Sequence, residues 1–179
     1  MAPILGIYAS QMSGHLVTNN FSSIATVTVG SGGASSITFS SIPSTYTHLQ
    51  LRIMGFTTGA VNSGIQFNGD SSGNYSYHYL DGNGSSASAT GGTGANAAIF
   101  GYIDGSATYP EVAIIDILDY TNTNKYKTIR HFSGNDTNGG GYVWLNSSLW
   151  NNTAAITSIS TPSATTYRQY SSFALYGIR

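Results

Sequence analysis

The chain has 179 residues, enough for one domain with a real core and too few to expect two. Only 7% of them are Asp, Glu, Lys or Arg and the net charge is −1, while 26 Ser, 20 Thr, 14 Asn and 22 Gly leave the surface to be wetted by hydroxyls, amides and backbone. The lack of cysteine excludes a disulfide framework, a thiolate metal site and a cysteine nucleophile, and no apolar stretch approaches the ~20 residues of a membrane-spanning helix.

With 40% hydrophobic residues the chain has enough to bury, so the low charge does not imply disorder. Weak repulsion between copies favours association, and a homo-oligomer or a place in a larger assembly is expected.

The chain opens on "MAPILGIYASQMSGHL". A secretory leader needs a positive segment before its apolar run, and none precedes this one. Residues 1–20, if extended, reach roughly 65 Å at about 3.3 Å each. The expectation is an apolar arm that docks on a neighbouring protein by strand addition or groove insertion, using Ile4, Leu5, Ile7, Tyr8, Met12, His15 and Leu16. Residues 21–179 then form one domain.

From there the hydrophobic period is two, with turn residues too frequent for long helices. "IATVTV" (Ile24 to Val29) and "SSITF" (Ser35 to Phe39) flank "GSGG" as a hairpin would. "YTHLQLRIMGF" sets Leu49, Leu51 and Ile53 on one face and His48, Gln50 and Arg52 on the other, a half-buried strand. "YSYHYL" places Tyr75, Tyr77 and Tyr79 in a row. Asp81 to Asn96 is nearly all small residues and reads as a long surface loop.

"PEVAIIDILDY" has apolar residues on both parities, which predicts a central strand covered on both sides. "KYKTIRHF", "GYVWLN", "AITSIS" and "YRQYSSFALYGI" bring the total to nine or ten strands. That count, with Gly- and Asn-rich turns, predicts an all-β antiparallel sandwich, a jelly roll rather than an immunoglobulin-like one, with an extended N-terminal arm.

"GDSSG" satisfies a nucleophile-elbow pattern with Ser71 as nucleophile and His78 or His131 as base, but it enters from a polar loop and leaves into a strand, so a plain turn is the preferred reading. Asp116 lies within an apolar strand and needs a partner; Arg52 or Arg130 can supply a structural ion pair at a sheet or subunit contact, with a catalytic acid as the alternative. Asp81, Asn83 and Ser85 mimic the start of a calcium loop, yet Ser86 and Gly92 fall where a glycine and a closing acid are required. Four scattered histidines give no zinc pattern, and neither a metal nor a cofactor is expected.

Lys125, Lys127, Arg130 and His131 form the only basic cluster. Six basic residues in all do not make a nucleic-acid binder, and Lys125 and Lys127 read as guards on an exposed edge strand or as a contact to an acidic neighbour. Tyr75, Tyr77 and Tyr79 suit either packing at a core or interface or a platform for sugar rings.

"SIPSTYTHLQLRIMG", "NYSYHYLDGNGSSASA", "IIDILDYTNTNKYKTIR" and "QYSSFALYGIR", with the "PILGIYASQMSGHL" start, resemble small virion-associated proteins of tailed bacteriophages, in order and over nearly the whole chain. The resemblance brings no catalytic residues. It implies a β-sandwich on the particle surface, a homotrimer held by its terminal arm to the major capsid protein or to tail proteins. The role expected first is capsid decoration or cement. A tail-fibre or spike component that meets host glycans is the alternative, and a small serine hydrolase using Ser71 the most remote one.

Overall fold

The computed structural model describes residues 20–179; the expected arm lies outside the described residues. Alternation in "HLQLRIMG" is realised in β3 (His48–Gly55), where Leu49, Leu51 and Ile53 are buried and Arg52 and Met54 are exposed. β3 lies between β12 (Ser172–Ile178) and β8 (Glu111–Ile117), and β1 (Phe21–Thr28) closes that edge. A facing sheet orders β2 (Ala34–Phe39), β11 (Ile159–Tyr167), β4 (Val61–Phe67) and β7 (Ala98–Ile103).

The core lies between these layers. Leu49, Leu51, Ile53, Ile115, Ile117, Phe173 and Leu175 of one sheet meet Ile37, Phe39, Ile65, Phe67, Phe100 and Ile159 of the other. Two hairpins widen the first sheet beyond β8. β9 (Lys127–Asp136) and β10 (Gly141–Trp150) follow β8, then β5 (Tyr75–Gly82) and β6 (Ala87–Ala95), giving eight strands in the order β1-β12-β3-β8-β9-β10-β5-β6. All pairings are antiparallel, and the described residues contain no helix. The fold is all-β, two antiparallel sheets face to face.

Several expectations change. β1 and β2 do not form a hairpin; they belong to opposite sheets, paired with β12 and β11. The chain crosses between layers at Gly30–Gly33, where Gly33 has φ +69° and a Cβ would stand 2.6 Å from Thr166 Cγ2. The expected loop over 81–96 is mostly strand. Asn83 Oδ1 accepts from the backbone N–H of Ser85 and Ser86 to make the turn, and β6 follows. Its glycines seat rings: a Cβ on Gly91 would lie 2.5 Å from the His78 ring, and one on Gly92 2.8 Å from the Tyr77 hydroxyl. Ring coverage of this kind lets a Gly-rich segment hold a strand.

The strand read at "AITSIS" reaches only Ile159 and Ser160 of β11, because the rest, "TPSATTY", is polar and carries Pro162; β4 and β7 have no counterpart in the sequence reading. The register of β11 with β2 shifts after that proline, and β4 pairs only with its first two residues, Ile159 and Ser160. Proline's missing donor is tolerated at such an irregularity.

Candidate functional site

β8 is central, as expected, but it is covered on one side only. Ala113, Ile115 and Ile117 are buried in the core, whereas Val112 is 50% exposed and Ile114 41%. Strand register extends this apolar outer face across the sheet. Ile114 stands beside Phe132, Phe132 beside Leu145, Leu145 beside Leu80 and Leu80 beside Ala89. A parallel row runs through Met54, Val112, Gly134 and Val143. Phe132, Leu145 and Leu80 are the most exposed, at 57%, 56% and 58%.

A polar row borders the stripe. Gln50, Asp116, Arg130, Ser147 and His78 are successive cross-strand neighbours. The expected ion pair of Asp116 with Arg52 or Arg130 is not formed. Gln50 Nε2 donates to Asp116 Oδ1 at 2.8 Å, Arg52 Nε donates to Gln50 Oε1 at 2.8 Å, and Arg130 Nη1 donates to Ser147 Oγ at 2.6 Å. An amide fits between the carboxylate and Arg52 because Gln50 is the residue opposite Asp116, and Arg52 faces Ile114 instead. The Arg52 guanidinium also lies 4.9 Å from the Tyr176 ring centre and 5.6 Å from that of Phe21. At the far end of the stripe, a shallow cleft of about 700 Å³ is lined by His78, Leu80, Gly91, Arg130 and Leu145.

The inner surface of the same strands has the opposite character. Glu111, His131, Ser133, Asn146 and Ser148 are all buried. β7 closes over them through backbone acceptors: Ser133 Oγ donates to Phe100 O at 2.7 Å and Asn146 Nδ2 to Ile99 O at 2.7 Å. The carboxyl oxygens of Glu111 and both ring nitrogens of His131 lack a hydrogen-bond partner. Burial is the main cause of pushing the Glu111 carboxyl up to about 7, opposed by the nearby Ser133 hydroxyl and reinforced by Asp104. Burial likewise pulls the His131 imidazole down to about 3, with the Arg130 charge acting in the same direction. A Cβ on Gly101 of β7 would stand 2.5 Å from Glu111 Oε1 and 2.7 Å from Ser133 Oγ. Only glycine lets β7 lie this close.

The three tyrosines separate. Tyr75 is core: its hydroxyl accepts from Phe67 N at 2.9 Å and donates to Asp70 O at 3.2 Å, and burial raises its pKa. Tyr77 and Tyr79 are half-buried and stacked on each other at 5.9 Å, with Tyr79 4.4 Å from Trp144.

Ser71 lies exposed in the turn between β4 and β5, with a strand on either side, so the strand-to-helix turn of a nucleophile elbow is missing. Asp70 organises that turn by accepting from Trp150 Nε1 at 2.8 Å, Asn74 Nδ2 at 2.9 Å and Ser72 N at 3.0 Å. The basic cluster disperses too. β9 is an interior strand, Lys125 pairs with Asp119, and Lys127 is fully buried, donating to the carbonyls of Asn122, Lys125 and Thr153. Lys127 therefore ties two loops together and guards no edge.

Ile4, Leu5, Ile7, Tyr8, Met12, His15 and Leu16 lie outside the described residues. The outer stripe and the buried Glu111–His131 layer were missed by sequence reasoning. The first had a signal, the double parity of "PEVAIIDILDY". The second had none that distinguished the inner face of β9 and β10 from the outer. No protein-family model, no curated protein and no solved structure matches this chain.

Proposed function

We propose that this protein is a structural component of a tailed-bacteriophage virion, a capsid decoration or cement protein whose work is contact with other protein surfaces rather than catalysis. The observation that carries this reading is the contiguous apolar stripe on an outer sheet face of a chain with so little charge. Patches of this kind mark interaction surfaces. The sequence resemblance points the same way.

The strand order supports a jelly roll as the underlying sandwich. With the β5–β6 and β9–β10 hairpins set aside as insertions, the remaining strands alternate between layers as β1-β12-β3-β8 and β2-β11-β4-β7. That is the interleaving produced by winding one long antiparallel ribbon into two Greek keys. In this reading residues 1–20 hold the domain to the major capsid protein at the particle surface.

Copy number in purified virions, measured by quantitative mass spectrometry against the major coat protein, tests the role. A near-stoichiometric ratio is expected for a decoration protein; absence from the particle overturns the virion role.

A second reading, a tail-fibre or spike module for host glycans, is favoured by the half-buried Tyr77 and Tyr79 stacked on the buried Trp144. It predicts a few to some tens of copies per particle, and glycan binding that is lost in Tyr77→Ala.

A further inference from the structure

We propose that the apolar outer face of the eight-stranded sheet is covered by a second copy of this chain. The inference rests on the reading of that face as an assembly surface and names its partner.

Size is the first argument. Met54, Leu80, Val112, Ile114, Phe132, Val143 and Leu145 are each 41–58% exposed. Together they present roughly 600 to 700 Å², at or above the largest apolar patch of an ordinary monomer and near the ~800 Å² each partner contributes to a standard interface. The surface is one face of neighbouring strands, ending in the cleft at Leu80 and Leu145, so it offers a sheet face to another sheet packed at about 10 Å.

Charge is the second argument. The stripe residues are uncharged, with Arg52 standing beside Ile114 at the β3 end, and the bordering row sets Asp116 directly beside Arg130. A row with both signs side by side is complementary to its own reversed copy: turned about a two-fold axis, Arg130 of one chain meets the Asp116 side of the other. Arg130 is exposed and Asp116 half-buried, so both remain within reach of a partner. A net charge of −1 adds little repulsion between copies.

The inverted burial of β9 and β10 is the third. Within one chain these strands turn His131, Ser133 and Asn146 inward and Phe132 and Leu145 outward. A partner sheet over Phe132 and Leu145 gives these strands an apolar layer on the side the described residues leave open.

Sedimentation equilibrium of the full chain over a wide concentration range tests this, with Phe132→Asp and Leu145→Lys against Tyr126→Ser, an exposed ring outside the stripe. The expected result is an oligomer whose dissociation constant rises at least about tenfold in either stripe variant and stays unchanged in Tyr126→Ser. Circular dichroism and melting at low concentration keep the readout clear of misfolding, since both stripe side chains point outward. A wild type monomeric at every concentration overturns the inference, as does an oligomer indifferent to both stripe variants. Virion copy number separates this from the role. A monomer abundant in particles gives the face to the coat protein and keeps the decoration reading; a stripe-dependent oligomer absent from particles keeps the inference and removes the virion role.

Discussion

The eight-stranded sheet has two halves that obey opposite rules. In β3, Leu49, Leu51 and Ile53 turn inward and the polar His48, Gln50 and Arg52 turn outward, the ordinary arrangement for a sheet with one wet face. In β9 and β10 the inward set includes His131, Ser133, Asn146 and Ser148, while Phe132, Val143 and Leu145 face out. The first half is stabilised by burying hydrocarbon against the smaller sheet. The second is held by side-chain donors that reach the carbonyls of β7, and it exposes hydrocarbon that the described residues do not cover. A buried apolar core and an exposed apolar face are thus divided between two parts of one continuous sheet.

The widest gap between the halves is expected from truncation. Leu51→Ala removes a fully buried side chain and should cost about 2–5 kcal/mol in a denaturant titration. Leu145→Ala, at a position 56% exposed, should stay within about 0.5 kcal/mol when the measurement is made dilute enough for single chains. Equal losses would mean that the outer stripe is packed by its own chain, and the division above would fail.

A smaller effect probes the seam under β7. Gly101→Ala sets a methyl group against the Glu111 carboxyl and the Ser133 hydroxyl and should cost about 1–3 kcal/mol through overpacking. Neutral behaviour in the same titration would show that β7 can lift away without consequence, and that the polar layer is not tightly closed.

Legibility in the sequence follows the same division. The alternation of Leu49, Leu51 and Ile53 fixes both the strand and its buried face, because only one parity is apolar. In "IRHFSG" and "VWLNSS" each parity carries polar and apolar residues, so periodicity identifies a strand without saying which face is inside. "PEVAIIDILDY" has apolar residues on both parities, which predicts cover on both sides, but the described residues cover only the side of Ala113, Ile115 and Ile117. β6 was hidden for another reason: Gly91 and Gly92 read as loop until the rings of His78 and Tyr77 are placed on them. The structure puts Asp116 and the two arginines on one face. Their connection through Gln50 depends on cross-strand register, which no local pattern specifies.

The subtlest expected effect is in pH dependence, and it comes from the polar layer beneath β7. Glu111 is held neutral by burial, its pKa raised from 4.5 to about 7, so its contribution is complete below 4.5 and is lost as pH rises to about 7. His131 is also held neutral, its pKa lowered from 6.5 to about 3, so its contribution is complete above 6.5 and is lost as pH falls toward 3. Between 4.5 and 6.5 the two slopes oppose each other. From these two groups, stability should climb from pH 3 to 4.5, stay nearly level to 6.5, and fall toward 7. In Glu111→Gln the fall near neutrality should vanish and the climb continue to 6.5, as read from denaturation midpoints across that range. A variant profile that still falls between 6.5 and 7 would assign that loss to another group, and Glu111 would then be already ionised beneath β7, with a donor that the closed seam does not supply.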